Sequence, residues 1–227
     1  MKALTKLLAA ASVAACAMAG APAAAQVEGR FATVDTSGAI IGTEALKNAY
    51  DLVNTTYKAQ IDTAQAKRAE LSELLKPFDT NGNGSLDESE VPAVQASSQL
   101  GDIQRIEGEI AGLSNQVTDA RVYAVEQILA QYPAALDEVA NQQQIQLVFP
   151  VASVQFGRRE ADITQQITTS LNTKIPSVSV VPPQGYRRSQ QGTAVFQEIQ
   201  QRLIAAQIRA QREAQAQQGN TEAPAGR

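Results

Sequence analysis

Between Ile103 and Ala124 the chain places apolar residues at alternating spacings of three and four: Ile103, Ile106, Ile110, Leu113, Val117, Ala120 and Ala124. A heptad row of this kind stays on one side of a helix only when that helix lies along a partner, so it specifies a coiled coil. Upstream, Tyr50, Tyr57, Ala64, Leu71 and Phe78 recur every seven residues. Leu46, Val53 and Leu74 supply part of the companion row, which Gln60 and Lys67 interrupt, so the seam is thin. At 1.5 Å per residue, residues 44–76 would form a rod about 50 Å long. The two rods should fold back as an antiparallel hairpin arm over residues 43–140, with Thr43 or Gly42 capping the first helix. Gly101, Gly108 and Gly112 lie inside the return helix at a cost of about 1 kcal/mol each relative to alanine. They indicate either close helix contact or an arm softened to bend around something. Pro133 should kink or end the return helix.

Where the hairpin reverses, residues 79–90 read Asp-Thr-Asn-Gly-Asn-Gly-Ser-Leu-Asp-Glu-Ser-Glu, an EF-hand-like calcium loop. Asp79, Asn81 and Asn83 occupy loop positions 1, 3 and 5; Ser85 offers its carbonyl at 7; Asp87 at 9 reaches the ion through water; Glu90 at 12 binds it with both oxygens. Gly84 falls at position 6, where the backbone needs a positive φ. An Asx-rich turn would share this composition but would not require Gly84 and Glu90 at those offsets. Two ligands are neutral asparagines and no second loop is present, so the expected affinity is in the weak range of about 10⁻⁴–10⁻³ M. Without a cation, the crowded carboxylates should fray the adjoining helix ends.

The flanking segments are short strands and a helix. Residues 30–35, 145–149 and 151–156 alternate like strands, and Ile163, Ile167, Leu171 and Ile175 mark one face of a helix over 161–175. Pro182-Pro183-Gln184-Gly185 reads as a linker, followed by an appended helix over 193–216 and a disordered tail. The fold class is α+β, mainly α: a small β body with a long hairpin arm and an extra C-terminal helix. Two or three short strands are not stable alone, so the body should be completed by other copies of the chain.

Residues 1–25 carry the marks of a signal peptide: Lys2 and Lys6, an apolar stretch from Leu7 to Ala19, and Ala23-Ala24-Ala25 as the cleavage site. An alternative cleavage before Cys16 would leave a lipoprotein. No later segment is long and apolar enough for a transmembrane helix, so the periplasm is the expected location. Removing Lys2 and Lys6 takes the formal charge from −4 to −6, which argues against nucleic acid. The chain has no histidine, and its single cysteine leaves with the signal. The common nucleophile and base pairs are therefore absent and an enzyme is not expected.

The strand Phe31-Ala32-Thr33-Val34-Asp35 leading into a long hairpin, and the closing block Ile145-Gln146-Leu147-Val148-Phe149, Val154-Gln155-Phe156 and Ala161-Asp162-Ile163-Thr164, resemble the Skp/OmpH family of periplasmic outer-membrane-protein chaperones over about residues 28–175. The resemblance implies a homotrimer with a barrel-like body, whose three arms enclose unfolded outer-membrane proteins as a holdase. Client-binding residues are not identified by it. The chain departs from the family in its acidic charge, its calcium loop and everything after about residue 177. A structural or adaptor coiled coil of the envelope that binds calcium is the alternative; it would hold one partner and protect no unfolded client.

Overall fold

The computed structural model describes residues 29–221, with side chains as far as 216; the signal peptide, Cys16 and the extreme C-terminal tail lie outside the described residues. Strand β1 (Arg30–Val34) pairs in parallel with β2 (Ile145–Pro150), Phe31 opposite Leu147 and Thr33 opposite Phe149. Parallel strands need a long crossover, and here the crossover is the whole hairpin. Alternation divides the sheet into two faces. Ala32 and Val34 are buried and Val148 packs against the core, while Phe31, Leu147 and Phe149 stay over 40% exposed.

Asp35 accepts a hydrogen bond from the Gly38 N–H (2.9 Å) and so caps α1 (Thr36–Ile41), a short helix that the sequence reading passed over. A Cβ at residue 38 would press on the Asp35 carboxylate, which would have to shift from its capping position. Thr43 caps α2 (Glu44–Thr56) as expected, accepting from the Leu46 N–H. The outgoing rod is broken at Tyr57 and resumes as α3 (Lys58–Leu75). After the tip loop, α4 (Val91–Gln95) is followed by α5, which runs from Leu100 to Gln142. Its 43 residues span about 65 Å at 1.5 Å each. Helix α6 (Thr164–Lys174) and the long α7 (Gln190–Thr221) complete the order.

Three expectations need correction. Residues 151–156 form no strand: β1 has ended at Val34, Pro150 has no N–H to extend the ladder, and the chain turns at Val151–Ser153. The third contact to the sheet is a single bridge between Thr33 and Asp162, with the Ile163 N–H donating to the Thr33 carbonyl. Of the two outcomes expected at Pro133, ending the helix is excluded: α5 continues for nine further residues. Ala135 and Val139 on that last stretch are buried in the core, and their burial offsets the roughly 3 kcal/mol that an interior proline costs. Finally, Gly101, Gly108 and Gly112 make no close helix contact. A Cβ at each would meet open space, so they soften the helix without packing anything.

The core sits at the root of the arm, where Ile40, Leu46, Val125, Ile128, Ile163, Ile167, Leu171 and Ile199 are almost fully enclosed. A second cluster lies further along the arm, where Ala49 and Val53 of α2 meet Val117, Ala120 and Ala124 of α5. Towards the tip burial thins to Ala64, Val94, Ile103 and Ile106.

Candidate functional site

Two parts of the arm carry chemistry: its tip, and the root where the C-terminal segment crosses it. At the tip, Gly82 and Gly84 take φ of 72° and 78°, a region glycine adopts without strain. These turns let the backbone wrap Asp79, whose carboxylate accepts from the N–H groups of Gly82 (2.8 Å), Asn83 (3.1 Å) and Gly84 (2.7 Å). The Asn81 and Asn83 carbonyl oxygens accept from the N–H groups of Asn83 and Ser85. Their amide groups donate to Asp87, at 2.6 and 3.3 Å. Glu90 is only 4% exposed, enclosed by its own loop, and accepts from the Thr80 N–H and hydroxyl and the Asp87 N–H. Those bonds, the Thr80 hydroxyl first, hold its carboxyl below the usual carboxylate range. Thus the six ligand positions share one coiled loop. The carboxylates of Asp79, Asp87 and Glu90 are occupied by N–H and O–H groups, and among the described residues no three such groups gather at one point. Beside the loop, Leu71, Leu75 and Leu86 floor a cavity of about 460 Å³ rimmed by Arg68 and Lys76.

At the root, the stretch between α6 and α7, which includes the expected linker at 182–185, is docked. Val178 and Val180 pack on the second cluster, and Ile199 of α7 enters the main core. Polar ties accompany them. Arg188 pairs with Asp119 (2.5 Å) and Arg202 with Asp35; the Ser37 hydroxyl donates to Glu198, and Gln200 donates to the Tyr50 hydroxyl. Tyr50 and Tyr57, read from the sequence as members of the heptad row, are therefore half-covered by the chain's own C-terminal segment. No heptad argument could have shown this, because the covering residues lie more than 120 positions away.

Glu126 fastens the start of α7. It accepts from the Tyr186 hydroxyl (2.7 Å), the Ser189 N–H (2.7 Å) and the Ser189 hydroxyl (2.6 Å). Burial pushes its pKa up, but these donors outweigh burial and hold it below 4.5. Burial and the Glu126 carboxylate push the Tyr186 phenol well above its usual range. A carboxyl with a depressed folded pKa stabilises the fold fully above its ordinary value, and that contribution is lost as pH falls through the folded value. Protection of the amides of residues 184–189 against exchange, relative to an unfolded chain at the same pH, should therefore fall below pH 4.5. A Glu126→Gln variant should exchange faster at neutral pH and lose much of that acid response; an unchanged response would remove Glu126 from the latch.

A small parallel β body, a long helical hairpin crossing between its strands and a polar loop at the far end define a body-and-arm protein. Residues 30–171 match the family described as outer membrane protein (OmpH-like), and the chain belongs to that family. Among solved structures it is similar to a candidate OmpH-like outer membrane chaperone from Caulobacter crescentus CB15, at 12% identity and a TM-score of 0.45, over 72% of this chain and 93% of the other. No curated protein matches the chain. The family match stops before the docked C-terminal segment and α7. No described helix is long and apolar enough to cross a membrane.

Proposed function

We propose that the chain is a periplasmic holdase that encloses unfolded outer-membrane β-barrel proteins between arms of several copies, three by the family pattern. The carrying observation is the arm itself: a helix of 43 residues whose outer half buries only a few apolar side chains, Ile103, Ile106, Val117 and Ala120. Such a rod gains little by collapsing onto itself and keeps its surface available along its length. Unfolded barrel strands expose one apolar face and open edges that aggregate. Weak contacts spread along soft arms shield them and still allow release. Phe31, Leu147 and Phe149 on the outer sheet face, beside the free edge of β2, support a body closed by further copies, because a two-stranded sheet is not stable alone.

Calcium belongs to this reading at the tip. Asp79, Asn81, Asn83, the Ser85 carbonyl, Asp87 and Glu90 would hold it, the cation replacing the amide and hydroxyl donors that occupy these oxygens. It would offset the loop's negative charge and fix the crossing of the helices on either side. The loop would act as a structural clip that stiffens the arm's end and tunes the extent of protection, while enclosure itself does not require it.

The test dilutes a urea-unfolded outer-membrane β-barrel protein into buffer with the exported full chain and follows light scattering. Aggregation should fall to baseline near one oligomer per client, with calcium changing the extent. Aggregation that continues unchanged at a several-fold excess of the chain would remove the holdase reading.

A further inference from the structure

Residues 177–181 (Ser-Val-Ser-Val-Val) lie extended along the root of the arm with no regular secondary structure. They alternate as a strand does: Val178 and Val180 face inward, while Ser177, Ser179 and Val181 face solvent. Val180 is 3% exposed, seated on Ala49, Val53, Val117, Ala120 and Ala124. The polar groups of the groove address the backbone of this segment. The Gln127 side-chain amide donates to the Ser179 carbonyl (2.8 Å) and accepts from the Ser179 N–H (3.0 Å). The Tyr57 hydroxyl donates to the Val180 carbonyl (3.2 Å). Gln127 is itself held in place by the Tyr123 carbonyl.

A shallow alanine-floored groove with seats for alternate residues, and with hydrogen bonds made to main chain, does not depend on which polar residue lies between the seats. The segment it holds is also separable from α7, which has its own anchor in Ile199 and its own latch at Glu126 and Asp119. We propose that the groove between α2 and α5 is a peptide site for extended segments of alternating apolar and polar residues, occupied in cis by residues 177–181 until such a segment displaces them. Strands of an unfolded β barrel have that alternation, so naming the displacing segment rests on the holdase reading above. The groove itself stands on its own geometry.

The test uses a fluorescent synthetic peptide of residues 175–184 and the exported full chain, read by anisotropy. A V178S/V180S variant vacates the seats and changes no residue of α7. It should bind the peptide about tenfold more tightly than the unmodified chain, because the competing cis state is removed. Adding Gln127→Ala should abolish that gain, and a peptide with its valines made adjacent should bind more weakly. A second variant, Y186F/R188A, loosens the latch and leaves the groove whole; it too should raise affinity. No gain in either variant, or a gain that survives Gln127→Ala, overturns the proposal. Peptide binding with no protection of unfolded barrel protein would sink the holdase reading and leave the groove; protection with no peptide binding would do the reverse.

Discussion

Replacing Ile199 with alanine should destabilise the full chain by about 3 kcal/mol, within the range for truncating a buried isoleucine. For a chain of this size that is a fall in melting temperature of roughly 6–12 °C. Ile199 is fully buried and shares one core with Ile40, Ile128 and Ile167. Its neighbours on α7 reach the same body, Glu198 to Ser37, Gln200 to Tyr50 and Arg202 to Asp35. A helix merely appended after a linker would lose nothing from the substitution. Thermal melts followed by circular dichroism decide between the two. A shift below about 1 °C would mean that the C-terminal helix is not part of the folded unit.

Glu90→Ala should abolish calcium binding at the tip. Glu90 is the only residue of the loop positioned to give the ion two oxygens, and it also closes the loop by accepting from Thr80 and Asp87. Calorimetric titration of the native chain should show a single weak site, at about 10⁻⁴–10⁻³ M, and the variant none. Because its bonds hold the Glu90 carboxyl below 4.5, its contribution to the loop is complete above that value and fades as pH falls through the lowered one. Calcium binding should weaken over the same range. A native chain that gives no heat at millimolar calcium, or a variant that binds unchanged, would end the calcium assignment.

Much of the architecture was legible because it is written in short-range spacing. The three-and-four alternation from Ile103 to Ala124 announced the return helix, and Ile103, Ile106, Val117, Ala120 and Ala124 are indeed buried in it. On the outgoing helix the seam was largely right: Leu46, Val53 and Ala64 are buried, joined by Ala49, while Tyr50 and Tyr57 are only half-buried and also meet the C-terminal segment. The loop's glycines took the positive φ that a tight polar turn demands. The strand expected at 151–156 failed for want of a neighbour. A pattern of alternation states a capacity to pair, and no edge among the described residues meets it.

What the sequence alone determined is therefore everything set by neighbours within a turn or a heptad: the two rods, the reversing loop, the α6 face of Ile163, Ile167 and Leu171, and the family to which they belong. The tertiary structure alone decided that Val178, Val180 and Ile199 belong to the fold. Nothing local shows that those residues dock on the body. Their burial depends on surfaces assembled from distant residues, as when Gln127 meets Ser179 across 52 positions, and such surfaces exist only once the helices have packed.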